Sequence, residues 1–157
     1  MGIQEKEHET EIAENSKTED KGGVGTVSAS SLRDWITEGH KNQIRNLPRG
    51  SAAVLIPILI RDGAYHVLYE VRAAKLHTQP GEICFPGGRI EPGELPLEAA
   101  VREATEELLI QRDQIEIVGE LEKTTGPGMI AFYSFIGVLN DYEGTWSEDE
   151  VERVFTI

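Results

Sequence analysis

Three glutamates, Glu103, Glu106 and Glu107, stand three and four residues apart inside a run with helical apolar spacing. On a helix advancing about 100° per residue, Glu107 lies about +40° and Glu106 about −60° from Glu103, so the three carboxylates share one stripe. Leu97, Ala100, Val101, Ala104 and Leu108 fall on a neighbouring arc, which anchors the helix by one side. Such a stripe opposes its own helix. Like charges at these spacings each cost a few tenths of a kcal/mol, and anions near the C-terminal end face the negative pole of the macrodipole. Only Arg102, four residues before Glu106, offers local compensation. A solvated surface face is the plain alternative. A divalent cation explains the cluster better, because hard cations such as Mg²⁺ take carboxylate and phosphate oxygens.

The turn before the helix supports that chemistry. Gly87, Gly88 and Gly93 permit backbone conformations closed to other residues and let carbonyls or amides come close to a ligand. Pro96 suits a first helical turn, which predicts a start near Leu95.

The elements that must hold this segment are read on either side of it. Ala52 to Ile60 (AAVLIPILI) is a continuous apolar run, expected to be a strand buried on both faces, with Pro57 marking a bulge or an edge position. Arg61-Asp62-Gly63 is a turn signal, and Tyr65 to Val71 reads as the returning strand of a hairpin, with His66 a structural side chain on it. Residues 72–84 read as a loop leading into a short strand, and Cys84 as a small buried hydrophobe rather than a nucleophile. Beyond the helix, Ile115 to Leu121 and Ile130 to Leu139 are expected strands, separated by Thr124 to Gly128. Glu148 to Glu150 form an acidic cluster before a last apolar stretch, Val151 to Ile157.

Residues 1–27 are polar, carry seven acids in the first 21 positions, and are expected to be a disordered tail preceding a single domain over residues 28–157. Ser30 or Ser31 would cap a short helix in which Leu32, Trp35 and Ile36 share a face, with Trp35 in the core. The net charge of −13 argues against general nucleic-acid binding, which depends on phosphate neutralisation by Lys and Arg. An anionic ligand would have to be met through cations or a few placed basic residues. No apolar run approaches the roughly 20 residues of a membrane span. The N-terminus resembles no secretory signal, and a lone cysteine makes no internal disulfide, so a reducing cytoplasm is the expected setting.

Gly88, five residues, Glu94, seven residues, then Arg102-Glu103-Ala104-Thr105-Glu106-Glu107 resembles the signature of the Nudix hydrolases. The preceding run RAAKLHTQPGEICFPGG, with Arg72, Leu76-His77, Gly81 and Phe85-Pro86-Gly87-Gly88, resembles the extra motif of the coenzyme A pyrophosphatases within that superfamily. The likeness covers roughly Ala52 to Leu121. His77 stands where that subgroup has a basic residue, Tyr69-Glu70 replaces a smaller and more apolar pair, and Leu109 replaces the glycine of the signature's end. Leucine there implies a longer or differently ended helix, or strain on the order of 1 kcal/mol.

The resemblance implies an α/β (α+β) fold, a Nudix-type α/β/α sandwich around a mixed sheet. It also implies Mg²⁺- or Mn²⁺-dependent hydrolysis of a nucleoside diphosphate linked to another moiety, with CoA first and ADP-ribose or NADH as the alternative. A non-catalytic nucleotide-binding module is the alternative from another class. Glu103 and Glu107 would be primary ligands, Glu106 would share a second ion or activate water, and the Gly88 carbonyl would complete the shell. Arg102 would orient a glutamate. Arg72, His77, Gly87 and Arg89 would meet the substrate, with Lys75 adding positive potential. Glu106 is the first choice of general base, and Glu148, Glu150 and Glu152 compete for that role. The fold normally closes with a second helix that this sequence does not show, so the expectation is a chain lacking part of its C-terminal end or completing itself as a homodimer.

Overall fold

A computed structural model describes residues 47–126 and 130–157. The expected tail, the expected helix with Trp35, and residues 127–129 lie outside the described residues. The order is β1 (Ala52–Arg61), β2 (Ala64–Arg72), β3 (Ile83–Cys84), β4 (Gly87–Arg89), α1 (Pro96–Leu108), a single 3₁₀ turn at Arg112–Gln114, β5 (Ile115–Glu120), β6 (Thr124–Thr125), β7 (Ala131–Leu139) and β8 (Val151–Thr156). No helix among the described residues is long and apolar enough to cross a membrane.

The sheet is mixed. β1 pairs parallel with β7, from Ala52 opposite Phe132 to Ile58 opposite Val138, and β5 and β6 add antiparallel strands to β7. The other edge of β1 is shared: β4 pairs antiparallel with its first residues, Ala52 to Val54, and β2 with its last, Ile58 to Arg61. This sharing explains Pro57. The Leu55 amide donates toward the β4 side, to the Pro86 carbonyl at 2.9 Å. Two residues on, the next amide on that edge would belong to Pro57, which has none, and it falls where β4 has ended and β2 has not begun. The proline thus occupies neither a bulge nor an outer edge, but a change of neighbour along an interior strand.

β1 also differs from the expected strand buried on both faces. Its burial alternates: Ala53, Leu55, Pro57 and Leu59 are buried, whereas Val54, Ile56 and Ile58 are only half-buried. Ala53, Leu55 and Leu59 pack in one core with Leu97, Ala100, Val101, Ala104 and Leu108 of α1, the apolar arc read from the sequence. Coverage by α1 therefore sets the difference between faces, both being apolar in composition. At the far end of β1, Asp62 and Gly63 both take positive φ (51° and 75°), the two-residue turn that matches strand twist in a tight hairpin.

β2 leaves β1 after Val67, and its second half runs between β3 and β8, with Glu70 opposite Cys84 on one side and Val154 on the other. α1 starts where expected, with Pro96 in the first turn and the Leu95 amide donating to Glu98 Oε2 at 3.0 Å. Its end is held from outside. Thr145 Oγ1 donates to the Leu108 carbonyl at 2.7 Å and the Ser147 amide to the Glu107 carbonyl at 2.8 Å, so the 145–147 segment satisfies carbonyls that a helix terminus leaves open. Leu109 ends the helix in the left-handed region (φ 53°, ψ 44°), with its side chain mostly exposed. The helix is not lengthened; leucine simply adopts the conformation that glycine would take, and bears the strain. Leu109→Gly is expected to raise stability by roughly 0.5–1 kcal/mol in urea or thermal unfolding, since it relieves strain and removes little buried surface. An unchanged or lowered midpoint would show that Leu109 is not strained.

Candidate active site

Two glycines set close approaches at β4, Gly88 toward α1 and Gly87 toward β1. A Cβ built on Gly88 would collide with the Glu103 carboxylate, and one on Gly87 would lie 2.7 Å from Val54 Cα. With neither Cβ present, β4 packs directly under the acidic stripe. The Gly87 amide then donates to Glu107 Oε2 at 2.8 Å. Glu107 is 1% exposed, although it belongs to the face that an acidic helix would ordinarily turn to water.

The stripe is graded from solvent to core. Glu106 is exposed, Glu103 is largely covered, and Glu107 is enclosed. Oxygens of Glu103, Glu107 and Glu150 lie within 4.8 Å of one another. Glu150 reaches them because the 145–147 segment caps α1 and because the Ala73 amide donates to the Glu150 carbonyl at 2.9 Å. Glu106 is not in this triad; its Oε2 lies 3.4 Å from Arg102 Nη1. Arg102 is a hub. It grips Glu94 with two nitrogens, Nε to Oε1 at 2.9 Å and Nη2 to Oε2 at 3.1 Å, and its Nη1 stands 3.0 Å from Glu103 Oε1. Nη2 also donates to the Arg89 carbonyl at 3.2 Å, which ties the glycine turn to the helix.

Burial and crowding displace the acids' proton affinities. Burial pushes Glu107 up to about 9, the neighbouring Glu70 charge adds to this, and the Gly87 amide opposes it. Burial likewise raises Glu103, against the pull of Arg102. Glu94 goes the other way: its burial is outweighed by the Arg102 hydrogen bond and the Glu91 amide, and it is held below the usual carboxylate range.

Glu70 is the residue the sequence marked only as a departure from the subgroup's pattern. It is fully buried on β2, pushed up to about 7 chiefly by burial, and Cys84 Sγ donates to its Oε1 at 3.3 Å. Its Oε2 has no hydrogen-bond partner among the described residues. The available signal was strand alternation, which puts residue 70 on the same side as the core residue Leu68. Cys84, expected to be a buried small hydrophobe, is only half-buried and acts as a donor to Glu70; burial and then Glu70 push its thiol up to about 12.

The other expected site residues are more open. Arg72 donates from Nε to the Thr78 carbonyl at 3.3 Å and is half-buried at the end of β2. His77 and Arg89 are exposed, and Lys75 pairs with Asp149 at 2.6 Å on the surface. The donor set fits a hard divalent cation: three carboxylates converge, one of them enclosed, and the buried Glu70 carboxylate, whose charge acts on Glu107, has an oxygen without a partner among the described residues.

A mixed sheet packed, among the described residues, against one α-helix that carries the acid cluster defines an α/β fold. The family model described as NUDIX domain matches residues 50–156, and the chain belongs to that family. Nudix hydrolase 3 of Caenorhabditis elegans is 37% identical over 112 residues, covering 67% of this chain and 46% of that protein. The peroxisomal coenzyme A diphosphatase NUDT7 of Mus musculus is 33% identical over 114 residues, covering 71% of this chain and 48% of that protein. The chain spans about half the length of these curated relatives. Among solved structures, a C. elegans Ap4A hydrolase binary complex matches with a TM-score of 0.58 at 22% identity, over 68% of this chain and 78% of that one. The Nudix hydrolase RenU of M. smegmatis matches at 0.58 and 25%, over 69% and 70%.

Because Glu70 and Glu107 bind protons more tightly folded than unfolded, their contribution is complete below about pH 4.5 and is lost as pH rises through about 7 and about 9. In chelator, the melting temperature is therefore expected to fall between about pH 5 and about pH 8, and Mg²⁺ or Mn²⁺ should shrink that fall. A midpoint that rises or stays level over this window in chelator would contradict the burial of these acids.

Proposed function

We propose that this Nudix chain hydrolyses the pyrophosphate of a nucleoside diphosphate linked to another moiety, with CoA and its derivatives as substrates and 3′,5′-ADP and 4′-phosphopantetheine as products. The observation that carries the hydrolytic reading is the convergence of Glu103, Glu107 and Glu150 within 4.8 Å, with Arg102 fixing Glu103. A binding module with no cation chemistry would have no use for an enclosed, proton-hungry Glu107. The CoA reading is supported by the RAAKLHTQPGEICFPGG run and by the likeness to the mouse coenzyme A diphosphatase. Likeness to the Ap4A hydrolase, at 22% identity, speaks to fold alone.

In this reading Glu103, Glu107 and Glu150 hold Mg²⁺ or Mn²⁺, with the Gly88 carbonyl as a further oxygen donor. When bound, the cation neutralises phosphate charge and makes water more acidic. Glu106, exposed beside the triad and restrained by Arg102, takes the proton of the attacking water or serves a second cation. Arg102 touches carboxylates rather than substrate, holding Glu94, Glu103 and Glu106 in one frame. Arg72 offers a planar, permanently charged group to a phosphate, and His77 and Arg89 add positive potential in a chain of net charge −13. Water oxygen bonds to phosphorus as the bridging oxygen departs with the other phosphate.

Assay of CoA, ADP-ribose and NADH with product identification should show CoA turned over fastest and releasing 3′,5′-ADP. Absence of CoA turnover beside fast turnover of either other compound would overturn the CoA assignment. Glu107→Gln should lower turnover by about 100-fold or more while weakening Mn²⁺ binding. Equal activity and equal cation binding in wild type and variant would remove the metal reading.

A further inference from the structure

β2 places successive side chains on opposite faces, and on its inner face Leu68, 1% exposed, is followed by Glu70, 0% exposed. An apolar or hydroxyl side chain would satisfy that position at far lower desolvation cost. The Cys84 hydrogen bond and the Arg72 charge offset that cost only in part. On one side of the strand Cys84 supplies a thiol, a weak donor, to Oε1; Val154 faces it on the other, and Oε2 has no partner among the described residues. The outer face is closed by aromatic packing, with the Tyr69 ring stacked between Phe85 at 4.8 Å and Phe155 at 5.6 Å. The strand is thus fixed from behind and Glu70 is held inward.

What lies inward is the acid triad. The short segment Cys84 to Gly87 serves both buried acids, the thiol bonding Glu70 and the Gly87 amide bonding Glu107. Of the charges acting on Glu107, that of Glu70 is the largest, and Glu70 in turn feels Glu150 and Glu103. Glu70 nevertheless stands outside the group whose oxygens lie within 4.8 Å of one another. A carboxylate whose charge reaches Glu107 but which stands outside the ligand group, enclosed and with an oxygen that no described residue engages, is placed to bind what the ligands bind through an intervening water.

We propose that Glu70 is a positioning residue of the cation site, its Oε2 accepting a hydrogen bond from a water on the cation held by Glu103, Glu107 and Glu150. This rests on the metal-dependent reading of the site. It adds a residue from β2, outside the helix and the glycine turn, to the machinery.

The test uses the full chain and two variants. Glu70→Gln keeps the acceptor for Cys84 but puts an amide donor in place of an oxygen, and Glu70→Leu removes both polar atoms at similar volume. Mn²⁺ affinity is measured by the free-ion electron paramagnetic resonance signal, with circular dichroism and melting in chelator alongside kcat and KM. The expected result is native dichroism, a melting temperature in chelator no lower than wild type, Mn²⁺ affinity lowered roughly 10-fold or more, and kcat lowered with KM little changed. Wild-type Mn²⁺ affinity in either folded variant would overturn the proposal, as would failure of both variants to fold, which would make Glu70 structural. Wild type that binds no Mn²⁺ would overturn the metal reading together with this one. Tight Mn²⁺ binding by wild type and loss in the variants, with no diphosphate hydrolysed, would overturn the enzymatic reading alone.

Discussion

Carboxylates confined away from water repel one another and lose hydration at once, and among the described residues that penalty is concentrated around Glu107. Glu107 is enclosed with Glu70 behind it and Glu103 and Glu150 beside it, and one backbone amide, from Gly87, bonds its carboxylate. Without a cation such an arrangement is relieved by taking up protons, which is the physical content of a Glu107 pushed up to about 9. With a cation the same repulsion becomes affinity, because a concentrated set of oxygen donors is already assembled.

Much of the surrounding structure follows from keeping those acids together. Gly88 has no side chain because Glu103 occupies that volume, and Arg102 spends its fork on Glu94 and Glu103, which locks the helix to the glycine turn. The loop after β7 caps the end of α1 through Thr145 and Ser147, and by doing so delivers Glu150 to the triad. A strained Leu109 is tolerated at that same helix end, where outside hydrogen bonds rather than a glycine stop the helix. Apolar packing of Leu97, Val101, Ala104 and Leu108 against β1 supplies the stability that the acids subtract.

Local pattern was enough to read α1, its start near Leu95, its buried arc, the Asp62-Gly63 hairpin and, to within a residue at one end, the strands expected at Ile115 to Leu121 and Ile130 to Leu139, since each depends on periodicity or turn chemistry within a few residues. Spacing along the helix gave Arg102 only its pair with Glu106; its two-nitrogen grip on Glu94, which precedes the helix, needed the structure. Pro57 was not readable either, because the reason it is tolerated is a change of partner strand, a tertiary fact. Glu150 was visible only as one of several acids near the end of the chain, since its approach depends on hydrogen bonds from residues far away in sequence. Glu70 looked like a departure from a family pattern; its meaning needs the strand's inward face and the acids beyond it.

Specificity lies elsewhere than the triad. In the proposed reading the acids would account for cleavage of a diphosphate, whereas Arg72, His77 and the loop that carries them would bear on which one. The claim on which everything turns is that Glu103, Glu107 and Glu150 form one cation site, and anomalous diffraction from crystals soaked in Mn²⁺ tests it directly. A peak at coordination distance, about 2.0–2.3 Å, from oxygens of all three residues is the expected result. A peak bound by Glu106 without Glu107, or no peak at a Mn²⁺ concentration that supports turnover, would contradict it.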